Sequence, residues 1–491
     1  MKVLFATSEA APLVKTGGLA DVSAALPAAL RRAGVDVRVL MPGYGAVLGW
    51  VEGRARPAGV LALPPFPAAQ LLESALPDGT PLLVLDCPAY YARDGGPYHQ
   101  PGGADWPDND LRFGLLSRAA AELARPGREW VPHVLHCNDW QTGLAPSWLS
   151  VLPGPRAATL MTVHNLAYQG IFPAAAMERL GLPWSLFQPD GVEFHGNLSF
   201  LKGGLFHADR LSTVSPTYAR EIQEEPLGFG MQGLLAWRSG QLHGILNGID
   251  ATAWNPGADP LIPRRYGATT LARKDDNRAA LRERFGLSPA PGRPLFGVVS
   301  RFAHQKGLDL LAEVASRLVA LPAQLVVLGS GEPPLEVAFR ALAARHPGEV
   351  GVVVGFDEAL SHLVEAGADA FVMPSRYEPS GLNQMYSQRY GTPVVARATG
   401  GLADTVVDCT PATLAAGTAT GFLFTEATPE ALLAALARAV AAFASRRTWR
   451  ALQRNGMARD FSWDASAAHY GALYAEMTSS PGGWQNAGLG A

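Results

Sequence analysis

The stretch Lys15-Thr16-Gly17-Gly18-Leu19-Ala20-Asp21 sets a lysine and two adjacent glycines between two patterns. Before it lies the apolar run Val3-Leu4-Phe5-Ala6; after it Leu19, Val22, Leu26, Ala29 and Leu30 recur at helical spacing. Paired glycines let the backbone approach a ligand and take positive φ. A helix start offers N–H groups without intrahelical partners and a partial positive charge. The combination suits a phosphate, and Lys15 adds a full charge. Thr399-Gly400-Gly401-Leu402-Ala403-Asp404 repeats Thr16 to Asp21 letter for letter in the other half of the chain. The duplication predicts two nucleotide-binding-type halves directed at one ligand.

Four further polar clusters follow apolar runs. Asn138-Asp139-Trp140-Gln141 follows 133–137, and His164-Asn165 with Tyr168 and Gln169 follows 158–163. Ser300-Arg301 with His304 and Lys306 follows 295–299, and Ser375-Arg376-Tyr377-Glu378-Pro379-Ser380-Gly381 follows 369–373. Polar residues at carboxyl strand ends make a ligand site. Arg301 and Lys306, ahead of a helix opening at Gly307, can converge on one pyrophosphate, each charge-assisted hydrogen bond contributing about 1.5–3 kcal/mol. Arg301 directly follows a buried strand, where a charge without a partner would cost energy. Glu378 can accept two hydroxyl protons, as holding a sugar requires. Each has an ordinary alternative: His164 a structural histidine, Arg301 and Lys306 a solvated pair, Glu378 a carboxylate favoured by a helix dipole.

Two other motifs lead elsewhere. Asp108-Asn109-Asp110 resembles a metal-binding aspartate pair, but helical spacing follows it, so Asp108 or Asn109 reads as an N-cap. Gly329-Ser330-Gly331-Glu332 lacks the third glycine of a dinucleotide fingerprint. No metal and no cofactor are expected.

The elements that must position these residues alternate. Strand-like runs at 3–7, 35–41, 81–86, 133–137, 158–163 and 210–214 are rich in Val and Leu without strict alternation, as strands covered on both faces are. Helical patterns lie between, for example at 110–124 and 216–224, while 57–67 and 94–107 read as loops. After a break at Gly244 to Gly257 the pattern restarts, with strands at 295–299, 324–328, 350–354, 369–373, 393–396 and 421–424. The prediction is α/β: two doubly wound Rossmann-like domains of about six strands each, facing across a cleft. Their bounds are 1–243 and 244–462. A helix over 463–478 packs back towards the first domain, and 479–491 is a loose tail.

At 491 residues two or three domains are expected, and 48% hydrophobic with 17% charged residues describes a folded chain. A net charge of −3 supplies no basic field for nucleic acid. No apolar run is long enough to span a bilayer, and no signal peptide opens the sequence. Three scattered cysteines, Cys87, Cys137 and Cys409, fit a reducing cytoplasm.

Several motifs in order resemble a known family. Lys15 to Leu19, His164-Asn165-Leu166-Ala167-Tyr168-Gln169-Gly170, Arg301-Phe302 with Gln305-Lys306-Gly307, and Ser375 to Leu382 look like the bacterial glycogen synthases. These are glycosyltransferases of family 5, with the GT-B fold. Asn247-Gly248-Ile249-Asp250 and Phe229-Gly230-Met231 add to the match, which runs from residue 1 to about 477. The resemblance implies transfer of glucose from ADP-glucose to an α-1,4-glucan, with retention and release of ADP. By motif position Lys15, Gly18, Arg301 and Lys306 would hold the pyrophosphate. Backbone N–H groups of Thr399, Gly400 and Gly401 would assist, and Glu378 would bind donor glucose. His164 would face the anomeric centre, with Glu9, Asp21, Asn165 and Asp139 lining the pocket. Trp140 and Tyr168 would stack acceptor sugars, and Phe356 would stand against adenine. The family turn usually has Cys and Thr where Ser380 and Asn383 stand, and often Tyr where Phe356 stands, which leaves UDP-glucose open as donor. The rival readings are a nucleotide-sugar epimerase on the same fold and a non-catalytic glucan-binding protein.

Overall fold

The computed structural model describes residues 1–479. The chain divides into two compact units. The first takes Met1–Val214, Ala219–Gly248 and the C-terminal helix Trp463–Ser479; the second takes Ser215–Tyr218 and Ile249–Ser462. The division falls at Gly248 rather than 243 because Leu242–Gly244 is a strand. It pairs in parallel with Arg210–Thr213, and so extends the first sheet.

That sheet has nine strands rather than about six. Lys2–Ala6 is central, flanked in parallel by Asp36–Pro42 on one side and Val134–Asn138 on the other. Beyond Val134–Asn138 come Ala158–Val163 and Arg210–Thr213; beyond Asp36–Pro42 comes Pro81–Asp86. All six expected runs are therefore parallel strands. The region expected to loop over 57–67 instead begins with the edge strand Arg56–Leu61, antiparallel to Ala69–Ala75, with an irregularity between Pro57 and Gly59. It is mostly exposed, so no apolar run marked it, and Pro and Gly are tolerated at an edge.

The second unit carries six parallel strands, one for each expected run. Their order is Val350–Val354, Gln324–Gly329, Leu295–Val299, Ala370–Met373, Val394–Arg397, Gly421–Phe424. This is the doubly wound order 3-2-1-4-5-6, which reverses between Leu295–Val299 and Ala370–Met373. A ligand is expected at the carboxyl ends flanking that reversal.

Trp463–Ser479 lies in the first unit. It buries Tyr470 and Tyr474, and Tyr474 Oη lies 2.7 Å from His136 Nδ1 in the strand Val134–Asn138. Asp464 pairs with Arg32 at 2.7 Å, and Ser466 Oγ donates to Leu246 O at 2.6 Å. Each large side chain so buried contributes about 1.5–3 kcal/mol. The expected tail lies, from residue 480, outside the described residues. No described helix is long and apolar enough to cross a membrane.

Candidate active site

The reversal point of the second sheet holds a cavity of about 180 Å³, lined by Arg301, Lys306, Ser375, Glu378 and Asn383 among others. Lys306 Nζ donates to Glu378 Oε2 at 2.6 Å, joining residues 72 positions apart. Ser375 Oγ donates to the same oxygen at 3.0 Å. Both partners are largely buried, the Glu378 side chain 7% exposed. Arg301 is exposed at the cavity, so the argument that burial would force a partner on it does not hold. Its value is as a cation for which no ion pair forms among the described residues.

Local backbone fixes this pair. Gly307 has φ +63°, and a Cβ there would stand 2.0 Å from Pro374 O. Only glycine lets the lysine turn lie against the strand end that leads to Glu378. Gly329 and Gly331 act likewise: a Cβ would meet Ser300 O at 1.8 Å and Phe302 O at 2.2 Å. The incomplete fingerprint is thus a packing device beneath the Arg301 segment. Asn383 Nδ2 donates to Val299 O at 2.8 Å, and buried Ser380 donates to Gly381 O at 3.3 Å.

The two six-residue repeats do different work. In the first, neither Gly17 nor Gly18 has an atom within 4 Å of a Cβ position, so the turn is open. Yet Thr16 N and Gly17 N already donate to Glu9 Oε2, at 2.5 and 3.3 Å, so Glu9 organises the turn. Lys15 and Asp21 form an exposed pair at 2.8 Å, of small energetic weight. In the second repeat, Gly401 N donates to Glu378 O at 3.0 Å and Thr399 N to Arg397 O at 2.9 Å. Cβ atoms at Gly400 and Gly401 would meet Glu378 O and Ser380 O at 2.0 and 1.9 Å. Thr399 N and Gly401 N, expected to face phosphate, are thus bonded to protein carbonyls in this structure. The glycines there admit the Glu378 turn.

In the first unit His164 follows Ala158–Val163, and its Nε2 lies 3.0 Å from Asn138 Oδ1. Asn138 Nδ2 donates to Ala6 O at 3.0 Å, which orients the amide and puts the imidazole hydrogen on Nε2. Burial pushes His164 down to about 3. His164 N donates to Asp139 Oδ1 at 2.7 Å. Asp139 sits at φ +53°, and burial pushes its carboxyl up to about 7 against these backbone hydrogen bonds. Asn165 Oδ1 accepts from Ala167 N at 3.1 Å and shapes the loop to Tyr168, which is 56% exposed.

Trp140 is half-buried against Phe113, Phe172, Phe200 and Tyr98. A Cβ at Gly170 would lie 2.4 Å from its ring. The indole, expected to stack an acceptor sugar, is thus braced by neighbouring rings and partly exposed. Phe356 is 85% exposed after Val350–Val354 and lies outside the cavity lining. Asp108 occupies the N-cap position but makes no capping bond; Arg93 holds both its oxygens. Tyr98, in the stretch read as loop, donates to Glu9 Oε1. No periodicity marks such a residue, so sequence patterning could not find it.

Comparison with known proteins fits this arrangement. The starch synthase catalytic domain model matches residues 2–237, and the glycosyl transferases group 1 model residues 281–455. Glycogen synthase of Nitrosospira multiformis is 53% identical across 97% of both chains, and that of Aromatoleum aromaticum 54% across 97% of both. The chain belongs to the glycogen synthase family. It is a glycosyltransferase of GT-B architecture. The catalytic domain of starch synthase IV from Arabidopsis thaliana, solved bound to ADP and acarbose, is 33% identical to this glycogen synthase family member. It superposes with a TM-score of 0.85, covering 98% of this chain and 99% of its own. Sucrose-phosphate synthase from Thermosynechococcus elongatus, 21% identical with a TM-score of 0.58, shares the fold.

Proposed function

We propose that this protein transfers glucose from ADP-glucose to the non-reducing end of an α-1,4-glucan, releasing ADP with retention at the anomeric carbon. The observation that carries the reading is the Lys306–Glu378 pair beside Arg301 at one cavity. Two cations suit a diphosphate, and the second Glu378 oxygen is open to sugar hydroxyls. The ADP and acarbose bound to the Arabidopsis relative match that pairing of nucleotide with glucan-like ligand.

In this reading the bond from C1 to the β-phosphate oxygen breaks, and the electron pair leaves with ADP. Arg301 and Lys306 neutralise the charge as it develops, the largest kind of catalytic contribution. No metal enters. The acceptor hydroxyl joins C1 on the face ADP leaves, and its proton passes to the departing phosphate oxygen. Retaining glycosidases use carboxylates about 5–5.5 Å apart; a leaving group stabilised in this way lessens that need. His164 is a neutral imidazole with an open Nδ1, suited to a developing cation at C1. Lys15 and Gly18 form a further anion seat, Asp21 tethers Lys15, and Tyr168 is the exposed ring for glucan. Phe356 is the ring for adenine.

Initial rates with ADP-glucose and UDP-glucose, each with and without an oligoglucan, test this. ADP release is expected only when ADP-glucose and glucan are both present. Preference for UDP-glucose corrects the donor. Donor turnover without glucan, or none under any condition, overturns the reading.

A pH dependence follows. Above about 7 an ionised Asp139 holds the His164 backbone best, so kcat/KM is expected to fall below that pH. The limb is absent in Asp139→Asn, while the His164 ring stays neutral by nitrogen NMR down to pH 5. The two groups act oppositely on stability. Asp139, raised on folding, loses its contribution as pH rises from 3.8 through 7. His164, lowered on folding, loses its contribution as pH falls from 6.5 towards 3. An activity limb that persists in Asp139→Asn would exclude this assignment.

A further inference from the structure

Arg376 stands within the turn that carries Glu378, yet the chemistry above makes no use of it. Its guanidinium grips Asp309 bidentately, Nη1 to Oδ1 at 2.6 Å and Nη2 to Oδ2 at 2.7 Å. Nη1 also donates to His304 O at 2.9 Å, and the Arg376 backbone N–H donates to Gln305 O at 2.8 Å. Gln305 Nε2 returns a bond to Tyr377 O at 3.3 Å. Arg397 donates to Arg376 O from the far side. Five bonds thus run between the turn 304–309, which carries Lys306, and the turn 376–377, which carries Glu378.

Planar, two-point pairing fixes direction as well as distance. The charge of Arg376 is matched by Asp309, which holds that guanidinium turned onto a carboxylate rather than free for a phosphate. Asp309 itself lies in the first turn of the helix Leu308–Ala320, so the clamp ties that helix start to the Glu378 turn.

We propose that Arg376 and Asp309 form a positioning clamp that sets Lys306 against Glu378, and through that pair governs use of the nucleotide-sugar donor. The inference rests on the donor site read above. Loosening the clamp lets the amine and carboxylate drift apart, and a displacement near 1 Å at such a pair costs about 100-fold in rate.

The chain has five lysines, Lys2, Lys15, Lys202, Lys274 and Lys306. Carbon-13 dimethylation therefore gives few signals, assignable by Lys→Arg variants. The Lys306 signal is expected to move in Glu378→Gln. In Arg376→Gln and in Asp309→Asn the same signal moves in the same direction, and the Lys15 signal stays. The two variants combined move it no further, because both open one clamp. In turnover each single variant lowers kcat/KM for ADP-glucose about 10–100-fold with the glucan KM unchanged. An unmoved Lys306 signal in Asp309→Asn, additive losses, or a changed glucan KM alone would overturn the clamp. Asp309→Asn keeps side-chain shape, and decides the matter if Arg376→Gln fails to fold. The lysine signals need no turnover, so a protein inactive on ADP-glucose would sink the donor reading while the clamp is still judged.

Discussion

Lys306→Ala is expected to lower kcat by about 100- to 1000-fold, the loss seen on removing one preorganised donor from a developing anion. The amine is held in place by Glu378, paired with it at 2.6 Å and largely buried. Its charge matters most as ADP takes up the electron pair, so the loss falls on turnover more than on donor binding. A second effect follows from burial. The variant leaves Glu378 without its cation, and breaking a buried pair from one side costs about 3–5 kcal/mol. Reduced thermal stability should therefore accompany the kinetic loss. Initial rates with saturating donor and oligoglucan, beside a melting curve, check both. Near-normal turnover would remove Lys306 from the reaction.

Glu378→Gln separates sugar binding from phosphate binding. The amide keeps the shape but loses the charge that draws Lys306 inward, and Ser375 keeps a partner. Transfer is expected to fall about 100-fold, because a carboxylate accepts sugar hydroxyls far better than an amide and charged acceptors bind about twice as strongly. ADP, which has no glucose, is expected to bind about tenfold more tightly, since a freed lysine meets the diphosphate without first leaving a carboxylate; tenfold is about 1.4 kcal/mol. Calorimetric titration with ADP measures this directly. Weaker ADP binding in the variant would mean that the ion pair assists the nucleotide rather than competing for the amine.

These roles were legible to different degrees. Strands buried on both faces announce themselves, so all twelve expected runs are strands, and Arg301, Lys306, Ser375 and Glu378 fall at strand ends as spacing required. Edge strands do not: Arg56–Leu61 is exposed and carries Pro57 and Gly59, the marks of a loop. The repeated Thr-Gly-Gly-Leu-Ala-Asp shows another limit. Identical letters describe a backbone able to come close, not what it comes close to. At Gly17 and Gly18 the space is open, whereas at Gly400 and Gly401 it is filled by carbonyls of the Glu378 turn. For Trp140 motif position implies an acceptor role, and what it does not reveal is the packing of the ring among Phe113, Phe172 and Phe200. Asp309 could not be tied to Arg376 from sequence, since 67 residues separate them and no periodicity links the two.

The helix Trp463–Ser479 completes the unit whose first strand is Lys2–Ala6. A ribosome delivers the strand well before the helix, with the second unit made between them. The nascent first unit must therefore wait, with the surface meant for Tyr470 and Tyr474 uncovered, until that helix has been made. The intervening unit has no such dependence and can fold while its neighbour waits. A premature stop ahead of Trp463 would accordingly harm the half made first, and leave the half nearest the lesion intact.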